Sequence, residues 1–194
     1  RLASASGSQA AWIGNGPASQ EVRRQIASLR GEQGPILIEG ESGTGKEVTA
    51  ALIGAQEPGR PFVAVNVAAL PEQVFESEFF GHVRGAFTGA DQNKMGLAEA
   101  AHGGDLFLDE IEALPLSQQA KLLRFLESGE IRKVGAKDSI FVQVRIIAAS
   151  NIPLKKLIEE KKFREDLYFR LSAHLITLPT LSERKEDITE LANY

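Results

Sequence analysis

Residues 36–46 read Ile-Leu-Ile-Glu-Gly-Glu-Ser-Gly-Thr-Gly-Lys, and this stretch decides the fold. An apolar run typical of a short buried strand is followed directly by the pattern G-x-x-x-x-G-K. In such a loop, glycines let backbone N–H groups converge on phosphate oxygens, and the next helix adds partial positive charge. The sequence therefore predicts a phosphate-binding loop between a strand and a helix. The predicted nucleotide ligands are Gly40, Glu41, Ser42, Gly43, Thr44, Gly45, Lys46 and Glu47.

One position departs from the general pattern, which continues with a serine or threonine whose hydroxyl contacts Mg²⁺. Residue 47 is glutamate instead. Thr44 can supply the missing hydroxyl only if the loop turns it inward, which the sequence leaves open. Metal binding is therefore expected to depend more heavily on a second acidic site.

That acidic site is Asp109-Glu110, which ends the stretch Gly-Gly-Asp-Leu-Phe-Leu-Asp-Glu (103–110). Open α/β sheets bind ligands beyond the carboxyl ends of their strands. We expect Asp109 to bind Mg²⁺ and Glu110 to act as general base for a water that attacks the γ-phosphate. Two acids after an apolar run also occur as simple helix caps. Together with the phosphate loop, however, they predict Mg²⁺-dependent ATP hydrolysis.

Other segments alternate between helical and strand patterns. Helical spacing predicts helices over 18–30, 70–80, 117–129 and 163–171. Apolar runs predict strands over 61–67, 106–108, 144–150 and 174–178, and a hairpin joins 131–134 to 140–143. This order predicts an α/β protein, a P-loop NTPase three-layer sandwich with a mainly parallel five-stranded sheet.

Finer predictions concern the ends and faces of the helices. Ser19 is expected to be the N-cap of the first helix, and Gly129 to stop the helix that begins near residue 117. The apolar residues expected to line up are Val48, Ala51 and Leu52 after the phosphate loop, and Ala120, Leu123 and Leu126 in the later helix.

The composition indicates a folded domain. The chain has 194 residues, of which 43% are hydrophobic and none is cysteine, so disulfides and thiolate metal sites are excluded. A net charge of −4 disfavours binding of duplex DNA by its own surface. No apolar run approaches a membrane span, and the start matches no signal peptide. Residues 1–11, rich in alanine, serine and glycine, are interpreted as a linker or a cloning remnant.

The segment His-Val-Arg-Gly-Ala-Phe-Thr-Gly-Ala (82–90) places Phe87 among glycines. A large aromatic side chain normally lies on a core helix or strand, but glycine weakens both elements. We therefore expect Phe87 to lie on a loop, either exposed as an interface residue or folded back into the core of the domain.

Four segments in this order resemble the AAA+ domain of bacterial sigma-54-dependent transcriptional activators, or enhancer-binding proteins. They are GESGTGKE (40–47), GHVRGAFTGA (81–90), GGDLFLDE (103–110) and FREDLYFRL (163–171). The resemblance implies a cytoplasmic bacterial ATPase that uses ATP and Mg²⁺. It also implies self-association into a ring, expected to be a hexamer, and remodelling of sigma-54 RNA polymerase for promoter opening. Glutamate at position 47 is common in this family.

In the family, GAFTGA forms the tip of a surface loop that contacts sigma-54 and moves with the nucleotide state. The resemblance implies that this contact involves Gly85, Ala86, Phe87, Thr88, Gly89 and Ala90, with Phe87 and Thr88 as its main residues.

The resemblance also implies roles for residues around the nucleotide. Asn66 matches the asparagine that pairs with the Walker B glutamate, although a strand-end amide that satisfies backbone groups is the alternative. Asn151 matches the γ-phosphate sensor, and Ile13 and Gly14 are expected to bind the nucleotide. Ser150 stands where the family usually has threonine.

Asp105 also replaces a usual threonine, in the Walker B segment. The sequence offers no physical reason for an acid at this position.

Arg164 and Arg170 match the arginine-finger segment, which a neighbouring subunit supplies to the γ-phosphate. Six residues apart, they would lie about 240° apart on a regular helix, so both can reach one phosphate only if the helix starts after Arg164. The alternative is that they are surface arginines paired with Glu165 or Asp166.

The resemblance divides the chain into an AAA+ α/β subdomain over residues 12–185 and the start of a truncated helical lid over 186–194. It therefore predicts an α/β core without its lid, which would contact enhancer DNA only through a C-terminal domain absent from this chain.

The residues alone leave other functions open. A nucleotide-gated oligomerisation switch that hardly hydrolyses is one, although Glu110 argues against it. Another P-loop machine, such as a helicase loader or protein unfoldase, is a second, although GAFTGA and the acidic charge argue against DNA threading. A substrate-phosphorylating kinase is the least supported, because no acceptor pocket is apparent.

Overall fold

The structure is a computed structural model that describes residues 11–193, so the predicted linker lies outside the described residues except for Ala11. The α-helices are α1 (Pro17–Ser28), α2 (Lys46–Gly54), α3 (Glu72–Phe80), α4 (Leu97–Ala100), α5 (Leu116–Ser128), α6 (Leu154–Glu159), α7 (Glu165–Leu171) and α8 (Ile188–Ala192). The strands are β1 (Ile36–Glu39), β2 (Phe62–Asn66), β3 (Gly81–His82), β4 (Lys94–Met95), β5 (Asp105–Asp109), β6 (Glu130–Ile131), β7 (Ile140–Phe141), β8 (Arg145–Ser150) and β9 (His174–Thr177). Short 3-10 helices cover Val67–Ala69, Ile111–Ala113 and Leu181–Asp187.

Five strands form one sheet in the order β2-β5-β8-β1-β9, and every pairing in it is parallel. The predicted parallel five-stranded sheet is confirmed. The predicted hairpin also forms, but its strands are shorter than expected, because only Glu130–Ile131 and Ile140–Phe141 pair.

Helices cover both faces of the sheet and bury a separate apolar cluster on each. Successive residues of β1 alternate between the two clusters: Ile36 and Ile38 pack with α1 and α2, whereas Leu37 packs with α3, α5, α6 and α7. This alternation follows from the two-residue repeat of a strand. The central strands are therefore apolar on both sides, as the sequence predicts for a three-layer sandwich.

In two helices the predicted apolar residues lie beside the centre of the buried face rather than at it. In α2 the buried apolar residues are Ala50 and Ile53, and in α5 they are Leu122 and Phe125. The expected residues, Val48, Ala51, Leu52, Ala120, Leu123 and Leu126, are only partly buried. An apolar stripe is about 100° wide or more, so the pattern locates the stripe but not its centre line. Gly129 does end α5, with a left-handed φ of 68° and its N–H bonded to the Phe125 carbonyl.

The predicted N-cap of the first helix, Ser19, is wrong. α1 begins at Pro17 with Gly16 as its N-cap, because the fixed φ of proline favours the first helical position. Ser19 instead lies inside the first turn, where its hydroxyl donates to the Asp187 carboxylate at 2.6 Å. Asp187 also accepts from the Gly16 N–H at 2.7 Å, so the end of the last 3-10 helix is bonded to the start of α1.

A buried ion pair explains the acid at position 105. Asp105 and Arg145 begin the adjacent strands β5 and β8 and are cross-strand partners. The Arg145 guanidinium donates to both carboxylate oxygens, at 2.7 and 3.0 Å, and the two residues are 1% and 2% exposed. A further bond to the Glu32 carbonyl, at 2.9 Å, anchors the arginine. Asp105 is thus a structural partner at the amino ends of the strands.

Removing one member of this pair should destabilise the domain strongly. We expect Asp105→Ala to lower the free energy of unfolding by about 3–5 kcal/mol, because the Arg145 charge stays buried without its partner. Urea unfolding measures the loss. Glu21→Ala, which breaks an exposed pair with Arg24, is the control and should cost less than about 1 kcal/mol. Equal costs for the two variants would contradict the structural role of the pair.

Candidate active site

The strand order brings the predicted site segments to one edge of the sheet. β8 lies between β1 and β5, with Glu39 beside Ser150 and Leu108 beside Ala148. Parallel strands have their carboxyl ends on the same side. The loop after β1, the acids that end β5 and the residue after β8 therefore meet there, which is where open α/β sheets bind ligands.

The loop between β1 and α2 is closely packed and depends on glycine. Gly45, the N-cap of α2, has φ of 100°, which other residues rarely adopt. A Cβ on Gly40 would lie 2.8 Å from the Thr44 hydroxyl oxygen. That hydroxyl donates to the Glu41 carbonyl at 2.8 Å, so its proton is held within the loop. Glu47 is exposed in the first turn of α2.

The Lys46 ammonium lies within this loop, donating to the carbonyls of Gly40 at 2.8 Å and Glu41 at 2.9 Å. Burial lowers the pKa of Lys46, and the negative charges of Asp109, Glu112 and Glu110 partly oppose that shift. Three carboxylates thus act on one partly desolvated cation, and ionisable groups perturbed in this way cluster at functional sites.

The acids that end β5 have an unusual backbone. Glu110 has φ of 55° and ψ of 47°, a left-handed conformation that costs a residue other than glycine about 1–3 kcal/mol. Its N–H donates to the Asp109 carboxylate at 3.0 Å. Burial raises the pKa of Asp109 most, and the Glu110 charge adds to that effect, while the Glu110 N–H and the Lys46 charge oppose it. Strain and desolvation therefore coincide at the predicted catalytic pair.

The two predicted asparagines lie at the expected strand ends. Asn66 is the cross-strand neighbour of Asp109, and Asn151 directly follows β8. The Asn66 side chain accepts from the Ala69 N–H at 3.2 Å. This bond agrees with the alternative interpretation, in which a strand-end amide satisfies a backbone group. Among the hydrogen bonds of residues 11–193, none joins Asn66 to Glu110.

Glu112 is a site residue that the sequence did not reveal. Its Oε1 accepts from the Asn151 N–H at 3.0 Å, so it joins the turn after β5 to the residue after β8. Its Oε2 is buried without a hydrogen-bond partner among the described residues. The sequence does show an acid two positions after Glu110. Nothing in the pattern, however, distinguishes the role of this acid from that of the other acids in the same stretch.

The two predicted arginines lie at opposite ends of α7. Arg164 is the N-cap, so the helix does start after it, as their joint action on one phosphate requires. Its guanidinium donates to both Asp166 oxygens, at 3.0 and 2.7 Å, as the surface-pair alternative predicts. Arg170 instead donates to the Leu126 carbonyl at 2.9 Å. Both residues are exposed.

The segment that contains Ile13 and Gly14 runs beside the phosphate loop. A Cβ on Gly45 would lie 3.1 Å from the Trp12 ring, and the Arg184 guanidinium stacks on the same ring at 4.8 Å. Arg184 also donates to the Thr44 carbonyl at 3.1 Å. The predicted nucleotide contacts of Ile13 and Gly14 are therefore next to the predicted phosphate contacts.

Phe87 lies on a surface loop between β3 and β4 and is 46% exposed. Its ring packs edge-on against His82, with 5.0 Å between centroids. The loop is closed by bonds from the Gly85 N–H to the Ala90 carbonyl at 2.8 Å and from the Ala90 N–H to the Phe87 carbonyl at 3.0 Å. The prediction of an exposed aromatic is confirmed. Ala90 is only 5% exposed, so its prediction as a surface contact is wrong: it closes the base of the loop.

Between residues 11 and 193, none of the helices is both long and apolar enough to cross a membrane.

Comparison with known families gives one match that covers most of the chain. The model of the sigma-54 interaction domain matches residues 12–177. The regulator NtrC of Proteus hauseri is 50% identical over 184 residues, which are 94% of this chain and 39% of that protein. VasH of Vibrio cholerae is 46% identical over 94% of this chain and 35% of its own length. The chain thus spans well under half of the curated relatives it matches.

Solved structures agree with the observed fold. NtrX from Brucella abortus, crystallised with ADP, superposes with a TM-score of 0.88 at 37% identity, over 96% of this chain and 42% of NtrX. The same protein with ATP gives a TM-score of 0.84 at 38% identity, over 92% of this chain and 39% of that one. A P-loop NTPase domain from E. coli, at 19% identity and a TM-score of 0.56, shares the fold over 87% of this chain and 99% of its own.

Asp109→Asn should stabilise the nucleotide-free protein near neutral pH. The pKa of the Asp109 carboxyl is raised above its ordinary 3.8, so between those two values the folded state retains a proton that the unfolded state releases. Stability is then lost as the pH rises through that window. Asparagine removes this loss, so the gain in Tm should be full near neutral pH and shrink as the pH falls toward 3.8.

Thermal melts of the variant and the parent across this pH range measure the effect. Asp91→Asn, the same replacement at an exposed acid, is the matched control, and the gain for Asp109→Asn is measured against it. A gain for Asp109→Asn that does not vary with pH would contradict the proposed desolvation.

Proposed function

The chain belongs to the sigma-54 interaction domain family, and on that basis we propose that it is the ATP-hydrolysing AAA+ core of a sigma-54-dependent transcriptional activator. One observation carries the proposal. The order β5-β8-β1 gathers a phosphate loop, an acid pair and a strand-end asparagine at one edge, in a domain that also presents Phe87 on a surface loop.

In this proposal the backbone of residues 40–47 and the Lys46 ammonium bind the phosphates of ATP, and Ile13 and Gly14 contact the rest of the nucleotide. The carbonyls that now accept from Lys46 hold the ammonium inside the loop, where a phosphate chain would replace them as partners. The crystal structures of NtrX with ADP and with ATP support a nucleotide ligand for this fold.

Asp109 is the residue that would hold Mg²⁺. A site with one or two carboxylates suits this ion, because Mg²⁺ keeps several waters and takes its remaining ligands from the substrate phosphates. When bound, the metal neutralises charge on the phosphate oxygens. The raised pKa of the Asp109 carboxyl fits such a role, since desolvation of this acid outweighs the opposing charge of Lys46.

Glu110 is the proposed general base, which accepts a proton from the attacking water. Its left-handed backbone directs the chain away from β5 directly after Asp109, which separates the roles of the two acids. Asn151 is the proposed γ-phosphate sensor, and Glu112 fixes its backbone. Asn66 would have to exchange its bond with Ala69 for one with Glu110 in another nucleotide state.

Arg164 and Arg170 are proposed to act on the γ-phosphate of a neighbouring subunit in a ring, expected to be a hexamer. Both guanidinium groups are at the surface, and neither contacts the site of its own subunit among the described residues. A finger supplied in trans stabilises the negative charge of the transition state.

The partner proposed for the loop is sigma-54. An exposed aromatic on a glycine-flanked tip suits an interface anchor, and Thr88 beside it is also exposed. Gly85, Ala86 and Gly89 complete the tip, and Gly89 has φ of 96°, which permits the sharp turn. ATP hydrolysis at the sheet edge would change how this loop is presented.

The chain spans 39% of NtrC, and the proposed activator includes further segments of comparable length. Recognition of enhancer DNA is assigned outside this chain, and the domain limits of 12–185 and 186–194 and the cytoplasmic location stay predictions.

Two substitutions separate nucleotide binding from hydrolysis. Lys46→Ala should abolish nucleotide binding. Glu110→Gln should keep binding but lower the turnover number by about 10²–10⁴-fold, because the amide cannot accept the proton. Titration of a fluorescent nucleotide and phosphate release measure the two effects. Glu159→Gln, an exposed control, should match the parent. Unchanged turnover in Glu110→Gln would remove the general base and favour a nucleotide-gated switch.

A further inference from the structure

We propose that Gln119 is the positioning residue of the arginine finger, which it ties to the segment following the catalytic acid. The inference deepens the proposed function and rests on the assignment of Arg164 as a residue that acts in trans. The Gln119 side chain itself contacts neither the nucleotide site nor the surface.

Gln119 lies on α5 and is fully buried. Its Nε2 donates to two carbonyls, that of Leu114 at 2.8 Å and that of Lys162 at 3.0 Å. Its Oε1 accepts from the Arg164 N–H at 2.9 Å. One amide side chain therefore satisfies three main-chain groups from two distant parts of the chain.

Among residues 11–193, none of these three groups has a backbone partner within a helix or strand. The Leu114 carbonyl lies at the end of the 3-10 helix that follows Glu110, the Lys162 carbonyl lies in the turn between α6 and α7, and the Arg164 N–H is at the N-cap of α7. An amide is the side chain that offers donors and an acceptor at once without a charge. The three main-chain groups that Gln119 binds thus explain why a polar side chain is buried at this position.

The bond to Arg164 fixes the place from which its side chain extends. The guanidinium is exposed, and its contacts are to Asp166 of its own helix, so they orient it only relative to α7. The preceding turn is held to α6 through the Leu157 carbonyl, which accepts from Lys162 and Phe163. Gln119 is what connects this turn to α5 and to the segment after Glu110 by hydrogen bonds.

Gln118 provides a natural comparison on the same helix. It is also buried, at 5% exposure, but its Oε1 has no hydrogen-bond partner among the described residues. Two adjacent glutamines of similar burial therefore differ in whether they bond to the finger segment. The replacement Gln→Met preserves length and approximate volume at both positions.

The experiment measures ATP turnover and nucleotide affinity for Gln119→Met and Gln118→Met in the full protein. Gln119→Met should keep nucleotide affinity within about twofold and lose roughly 10²-fold in kcat, the cost of displacing a reacting group by about 1 Å. Gln118→Met should keep both. Parental kcat in Gln119→Met would overturn the inference.

Mixed rings then test whether the loss lies in trans. Gln119→Met subunits are mixed with an excess of Glu110→Gln subunits, which keep an intact finger but do not hydrolyse ATP. Turnover per Gln119→Met subunit should rise toward the parental value, because each intact catalytic site now receives a finger from its neighbour. The same mixture made with Arg164→Ala must show the same rescue.

The two mixtures distinguish the inference from the proposed function. Rescue of Arg164→Ala without rescue of Gln119→Met would overturn the positioning role and leave the function intact. Failure to rescue Arg164→Ala would overturn the assignment of the finger and the inference with it. If circular dichroism shows that Gln119→Met does not fold, Gln119→Ser takes its place in the same mixtures, because its shorter side chain does not reach the Arg164 N–H and leaves space for water beside the freed carbonyls.

Discussion

The parallel hydrogen-bond ladder from β5 through β8 to β1 is the constraint on which the site depends. β8 is fully buried along its length, with Ile146 and Ala148 in one apolar cluster and Ile147 and Ala149 in the other. A one-residue slip would move each of these side chains into the opposite cluster and disrupt the packing of both. That register places Ser150 beside Glu39 and Ala148 beside Leu108. The phosphate loop, the acid pair and Asn151 of the proposed site all follow the carboxyl ends of these three strands.

The turn after β5 gathers the connections between the parts of the site. Glu110 is held in a strained conformation, Glu112 accepts from the Asn151 N–H, and the Leu114 carbonyl accepts from Gln119. A short 3-10 helix therefore joins the proposed base, the proposed sensor and, through Gln119, the proposed finger. Such a turn can transmit a change at the nucleotide, because its members are bonded to different elements of the fold.

The sequence predicted the local features well and the long-range contacts poorly. The phosphate loop, the parallel sheet and the exposed Phe87 followed from short patterns whose physical cause lies within a few residues. The Asp105–Arg145 pair joins residues 40 apart, and Gln119 reaches Arg164 across 45 residues, so no local spacing reveals either contact. The helix faces were displaced because a wide apolar stripe leaves its centre line to tertiary packing.

In the proposed function, the nucleotide state of the site controls how the Phe87 loop engages sigma-54. Its most direct test is co-elution of the protein with sigma-54, with and without ADP–metal fluoride, for the parent and for Thr88→Ala. We expect a complex that requires the nucleotide analogue and is lost in Thr88→Ala, while that variant still hydrolyses ATP. A complex that forms without nucleotide, or equally well with Thr88→Ala, would contradict it, as would no complex from a parent protein shown to bind the analogue.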